Sequence, residues 1–590
     1  MPHFARLRDQ GGLARLATTS PAQTPVAWST FATSLNPGGH RIFDFLRRNP
    51  QTYLPDLALN EYEQKNAFTP PKAVNLRRGT PVWDVLHQAG VPSTILRCPC
   101  TYPPDTAPRR ILAGMGVPDL RGGLGSPTFF TTDPNDRPRE SEQLALLHPQ
   151  PDGSYLTHLP GPRNPKDRSD LAIPLQVRPD PANRHLIVES PGQPSRLVVP
   201  VGSWSPWVRV KFKAGLLLTV RGIVRFHALA ADPQPRLYAS PVNFDPAAPL
   251  FPISHPFDYA RELADSIGLY HTTGMVEDHT GLNNERLSED AFLAHCDDIW
   301  RERNAMTQAE LARHADGLFY VLHDTTDRVQ HLFWRFREPD HPANRGRPAR
   351  PDLAAAIEDQ YRRADAALAL ALDHADDQTL LVALSDHGFN SFRRGVELNA
   401  WLRDHGLLQL KPDVEPASPD DHFLQAIDWS QTKAYALGLT GLYLNLAGRE
   451  GHGIVPPDEA ERLKADLAAA LTGLTDPATG QVAINAALPR ESVYHGPFLA
   501  DAPDLVLHYN AGYRAGWAAS MGGIGRALFE DNTKPWAGDH IIDPALVPGV
   551  LLMNRPFRHD GARLIDLAPT ILDALGVPKL PAMEGSSLLS

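Results

Sequence analysis

Asp386 and His387 follow directly on an apolar run in TLLVALSDHGFN, residues 379–390. Both side-chain types bind divalent metals, and the end of a strand-like run is where open α/β sheets gather their ligands. A plain turn would use the same residues, with the aspartate capping the next helix and Gly388 supplying a positive φ. A second pair changes the weighing. In HDTTDRVQHLFW, Asp327 and His331 are four apart, so a helix starting after the preceding strand places both on one face. His540, in WAGDHIIDPALVPGVLL, stands before another apolar run. Each element alone has a bland reading. Three strand-associated Asp/His elements together offer mixed imidazole and carboxylate ligands suited to zinc or a similar ion, and their number points to two ions.

Such ions need something to act on, and the segment TTSPAQTPVAWSTFAT supplies a hydroxyl. Thr24 precedes Pro25 as an N-cap precedes the first residue of a helix, beside backbone N–H groups that can hold a phosphate. A simple helix cap would look the same, and TTSPAQT contains other hydroxyls.

The elements that must position these residues alternate strand and helix. GLFYVLHDTTD (317–327) ends an apolar run in polar residues, and helix-compatible RVQHLFWRF comes next. PDLAAAIEDQYRRADAALALAL opens with Asp352 as an N-cap and puts Ile357, Tyr361, Ala364, Leu368 and Leu372 on one face, before the strand TLLVALS. GVLLMNR (549–555) followed by LIDLAPTILDALGV (564–577) repeats the theme. Continuous apolar strands suit a mostly parallel sheet covered by helices on both faces. Over residues 130–250 the texture changes: Val208, Val210 and Phe212 alternate with Arg209, Lys211 and Lys213, as strands with one wet face read. This is read as an inserted β-rich module. The expected organisation is a catalytic core at 1–129 and 251–410, the insertion at 130–250, a core edge and cap at 411–500, and the last part of the core at 501–590.

Composition narrows the partners. A net charge of -11 repels nucleic acid phosphates, and no dense Lys/Arg tract offers a local exception. No apolar run approaches the roughly 20 residues of a membrane span. Three cysteines, two of them in RCPC, do not build a disulfide framework, and MPHFARLRDQGGLARL has no apolar signal core. The expectation is a cytoplasmic protein. Oligomeric state is not legible.

In chain order, TPVAWSTFAT with NPGGH, then DRVQH, SDHGF, GDH and DLAPTILDALGVPKLPAMEG resemble the alkaline phosphatase superfamily, in its type I phosphodiesterase and nucleotide pyrophosphatase branch. The resemblance extends to bacterial members with a β-rich insertion. It implies an alkaline-phosphatase-like α/β sandwich and hydrolysis of a small-molecule phosphate ester by two divalent ions, zinc by preference. Thr24 would be the nucleophile, forming a phosphothreonine intermediate and sharing one ion with Asp386 and His387. Asp327, His331 and His540 would hold the other. A catalytically impaired member that binds a phosphorylated ligand, or a phosphomutase of the same superfamily, is the alternative. Sulfatases of this fold need a C/S-x-P-x-R pattern that RCPCTYPP does not match.

Two departures from the family pattern carry expectations. The family opens with a strand ending in an aspartate that adds a ligand to the nucleophile's ion, and MPHFARL lies beyond that point, so the first strand is expected to be missing here. Where the family commonly has Thr-Gly and His-Gly, this chain has Thr33-Ser34 and His40-Arg41, which puts the loops near the nucleophile in question.

Overall fold

The computed structural model describes residues 1–64, 71–164, 169–190, 196–214, 218–412, 414 and 424–589. Parts of the expected insertion and cap therefore lie outside the described residues. The chain divides into two compact units, one of residues 1–92, 316–318 and 329–590, the other of residues 93–315 and 319–328.

In the first unit the strand Gly549–Met553 pairs antiparallel with Gly12–Leu16 on one side and Val382–Leu384 on the other. Helices Pro2–Gln10 and Ala356–His374 cover one face, where Leu7, Leu368 and Leu372 cluster with Leu552. Leu551 and Met553, offset by one in the alternation, are fully buried on the opposite face. Each such side chain contributes about 1.5–3 kcal/mol of burial. Ile357, Leu368 and Leu372 are the buried stripe of the long helix, as the spacing predicts, but Tyr361 is 40% exposed. Asp352 is not its cap: it sits in the separate 3₁₀ turn Pro351–Leu353, and Ala355 takes the cap position.

A second sheet brings two of the motifs together. The strand Asn390–Val396 pairs parallel with Gly512–Ala515 and antiparallel with Phe529–Asp531 and Gly538–Asp539. Asn390 faces Asp539 across this ladder, so SDHGF and GDH become neighbours although they are far apart in the chain. A four-stranded antiparallel sheet, in the order Ala434–Leu437, Gly441–Leu444, Leu505–Tyr509 and Ile484–Pro489, completes the unit's core.

The second unit holds the strand order Ser254–His255, Arg110–Leu112, Ser93–Leu96 and residues 319–321 of the strand Leu318–Val321. It also holds a five-stranded antiparallel sheet running from His148–Pro149 to Arg196–Pro200. In the strand Val208–Ala214, Val210, Phe212 and Ala214 are buried while Arg209, Lys211 and Lys213 are exposed, the alternation read from the sequence.

The expectation of one mostly parallel sheet is corrected. The fold is α/β with several short mixed sheets, and both ladders beside Gly549–Met553 are antiparallel. A continuous apolar run reports burial on both faces and carries no information on strand direction. Cover is also incomplete, since Leu13 and Val550 are 50% and 44% exposed.

Candidate metal centre

Thr24 opens the helix Thr24–Thr33, with Gln23 in the cap position and Pro25 in the first turn. The helix thus starts one residue earlier than the sequence pattern suggests. The threonine hydroxyl faces out of the helix start, and its Oγ1 lies 3.3 Å from Nε2 of His387. Residues 25–33 are buried throughout, Trp28 among them at 4% exposure and packed edge-on against Phe31, so this tryptophan is core.

His387 donates from Nδ1 to the Gly388 carbonyl at 3.1 Å. His540 does the same to the Ala22 carbonyl at 2.6 Å, and His331 to the Gly538 carbonyl at 2.7 Å. A carbonyl can only accept, so in each neutral ring the lone pair sits on Nε2. This is the arrangement by which proteins orient imidazoles that ligate metals through the other nitrogen. The rings lie together: His387 and His540 stack with centroids 3.5 Å apart, and His331 is 5.0 Å from His540. Trp536 stacks on His331 at 3.8 Å, and Phe389 of SDHGF packs against His331, His540 and His387 at 4.8, 5.1 and 5.7 Å.

Asp386 Oδ2 stands 3.4 Å from His387 Nε2. A carboxylate oxygen and a hydroxyl oxygen thus converge on one imidazole lone pair, and of these three groups only the hydroxyl has a proton to give. Such a donor set fits a cation. Asp327 lies in the first turn of the helix Thr325–Phe333, one turn before His331, and pairs with the neighbouring Arg328. The helix start is anchored where Thr325 Oγ1 donates to the buried Glu277 Oε1 at 2.6 Å.

Asp539 belongs to this region and was not singled out from the sequence. The ligand atoms of His331, Asp539 and His540 lie within 4.8 Å of one another, but Asp539 is already engaged. Its Oδ2 accepts from Arg514 at 2.6 Å and from Trp536 Nε1 at 2.9 Å, and its Oδ1 accepts the N–H groups of His540 at 2.8 Å and Ile541 at 3.0 Å. Burial works to raise its pKa, yet Arg514, with His331 and His540, holds the carboxyl well below the usual range. Asp539 is a fixed negative charge that sets the backbone of His540. Its place directly before His540 was the available signal; Arg514 gave none.

The family model for type I phosphodiesterase/nucleotide pyrophosphatase matches residues 1–165 and 255–538. The chain belongs to this family of phosphoester hydrolases. The match is interrupted over 166–254, within the β-rich stretch. Among solved structures the chain is similar to phosphonoacetate hydrolase from Sinorhizobium meliloti in complex with phosphonoformate, at 12% identity over 98% of this chain and 90% of that one, with a TM-score of 0.42. It is also similar to an inactive variant of murine ectonucleotide pyrophosphatase/phosphodiesterase 5 in complex with AMP (11% identity, 99% and 92% coverage, TM-score 0.39). Alkaline phosphatase PafA shows the same likeness (11% identity, 99% and 92% coverage, TM-score 0.39). No curated protein matches the chain by sequence. Among the described residues, no helix is long and apolar enough to cross a membrane.

Proposed function

We propose that the chain hydrolyses small-molecule phosphodiesters through Thr24, with two divalent ions, zinc by preference. One ion would be held by Thr24, Asp386 and His387, the other by Asp327, His331 and His540. The observation that carries this reading is the 3.3 Å approach of Thr24 Oγ1 to His387 Nε2, within a set of imidazoles whose Nδ1 atoms are all tied to backbone carbonyls. When bound, the ions would supply the Lewis acidity that favours a threonine alkoxide and offsets charge on the phosphate and leaving oxygens.

The chain's own residues supply position. Thr24 Oγ1 attacks phosphorus, the bond to the leaving alcohol breaks, and the phosphoryl group is held as a threonine ester until water releases it. Two displacements give net retention at phosphorus. The first turn of the helix Thr24–Thr33 offers N–H groups and a positive dipole end to the phosphate. The carbonyls of Ala22, Gly388 and Gly538 keep the imidazoles in the tautomer that leaves Nε2 as the ligating nitrogen.

The test is turnover of bis(4-nitrophenyl) phosphate with bound metal measured on the same sample. The reading expects activity that chelator abolishes and zinc restores, and that Thr24→Ala loses. Metal binding without turnover, with retained affinity for a phosphate monoester, would instead favour an impaired binding protein.

A further inference from the structure

A separate set of reactive groups stands four residues before Thr24. Ser20 Oγ lies 2.8 Å from His508 Nε2, and His508 Nδ1 lies 3.8 Å from Asp543 Oδ1. None of the three belongs to the proposed metal ligands, and they come from three different elements. Ser20 is in the segment before the helix Thr24–Thr33, His508 is on the strand Leu505–Tyr509, and Asp543 is in the turn after His540. All three are partly exposed, so a small molecule can reach them.

The groups are held in place. His508 is the partly exposed residue of a strand whose other members, Leu505, Val506, Leu507 and Tyr509, are buried. Asp543 accepts from Asn485 Nδ2 on Oδ2 at 3.0 Å and from the Ala545 N–H on Oδ1 at 3.1 Å, and its own N–H donates to the Tyr509 carbonyl at 2.8 Å. With the serine hydroxyl donating to Nε2, the ring carries its proton on Nδ1, toward the carboxylate. Burial pulls the His508 pKa down and Asp543, the charged group facing the ring, opposes that pull less strongly, so the imidazole is neutral and able to accept a proton. A 3.8 Å separation of base and carboxylate is long for a hydrogen bond but within the loosening seen before substrate binds.

We propose that Ser20, His508 and Asp543 form a second, metal-independent site that hydrolyses carboxylic esters. Hydroxyl, imidazole and carboxylate in this sequence of contacts are the parts that make a serine nucleophilic toward an acyl carbon, and they are recognised by geometry, not by chain order. Ser20 Oγ bonds to the carbonyl carbon while its proton passes to His508 Nε2. The ester C–O bond then breaks, the leaving alkoxide takes that proton, and Ser20 carries the acyl group. Water adds to the acyl carbon with its proton going to His508, and Ser20 leaves with that proton as the carboxylic acid is released. No oxidant, reductant or metal enters the balance, and the inference stands apart from the phosphodiesterase reading.

The full chain should be incubated with a fluorophosphonate probe and, separately, with 4-nitrophenyl butyrate, each with and without EDTA. The expected result is one probe adduct on the peptide carrying Ser20, and ester hydrolysis that EDTA does not change. Ser20→Ala should abolish the adduct, and both it and His508→Gln should lower kcat/KM for the ester by about 100-fold or more. Ser20→Ala removes one oxygen from a partly exposed side chain, so it keeps the test decisive if His508→Gln disturbs the strand. An adduct on Thr24, no adduct at all, or unchanged ester hydrolysis in Ser20→Ala would overturn the proposal and leave His508 as a tie between two loops.

Discussion

Each unit contains a group of three buried histidines, and the two groups are built differently. In the first unit, His331, His387 and His540 each donate Nδ1 to a backbone carbonyl, and an aspartate and a threonine hydroxyl reach the His387 Nε2. In the second, His227 and His295 pack on Trp204 and His271 packs on Trp207, with His271 and His295 4.8 Å apart. There His271 meets Glu302 through Nδ1 at 2.7 Å, whereas His295 donates to the Val276 carbonyl through Nε2 at 3.1 Å. Opposite nitrogens are thus engaged in these two rings, Nδ1 in His271 and Nε2 in His295. Burial pushes His227 down to about 4 and His295 well below its ordinary value. Burial and aromatic packing are common to both groups; anchoring of the same ring nitrogen is the feature that the proposed metal site adds.

The largest way to break the contrast is at the nucleophile. Thr24→Ala should lower phosphodiester turnover by on the order of 10⁴-fold while the ion assigned to Asp327, His331 and His540 stays bound, measured by steady-state rates and elemental analysis. Next comes the anchoring itself. Asp539→Asn leaves Arg514 buried beside a neutral amide and loosens the backbone of His540, so metal affinity should fall by about 10- to 100-fold, read by competition with a chelator of known affinity.

Acid separates the two groups further. His227 in the folded chain binds fewer protons than in the unfolded chain between about 4 and 6.5. Its share of stability is therefore complete above 6.5 and lost as pH falls through about 4, up to roughly 3 kcal/mol. His227→Gln should flatten that part of the denaturation profile, and added zinc should not. Acid loss of turnover, by contrast, should be partly reversed by zinc, because it is loss of metal from the first group.

The smallest effect concerns the loops flanking the nucleophile's helix. Ser34 and Arg41 adopt φ of 54° and 70° where the family commonly has glycine, a conformation that costs about 1–2 kcal/mol for a residue with a Cβ. Ser34 Oγ donates to the Ile565 carbonyl at 2.8 Å and accepts from the Gly585 N–H at 3.0 Å, while Arg41 pairs with Asp501 at 2.7 Å. Side-chain bonds offset the strain. Ser34→Gly should change stability by less than about 1 kcal/mol, and Ser34→Ala, which keeps the strain and loses both bonds, should destabilise by about 1–3 kcal/mol, read by urea denaturation.

These loops show what was legible in the chain and what was not. The Ser34 and Arg41 departures were visible as residue types, but the distant partners Ile565, Gly585 and Asp501 that make them tolerable carry no local signal. The i, i+4 spacing of Asp327 and His331 gave their shared helix, because that periodicity is local. The apposition of SDHGF and GDH depends on the ladder pairing Asn390 with Asp539, which only the sheet reveals. Strand direction was misread for the same reason: apolar content records what covers a strand, and its neighbour's direction depends on the connection between them.

The most direct test of the central contrast is divalent metal bound per chain, by inductively coupled plasma mass spectrometry, in His540→Ala and His295→Ala prepared alongside the parent protein and shown to be folded. Matched anchoring predicts that His540→Ala loses about one ion per chain together with its phosphodiester turnover, and that His295→Ala keeps the parent's metal. Equal metal in both variants, or loss confined to His295→Ala, would contradict it.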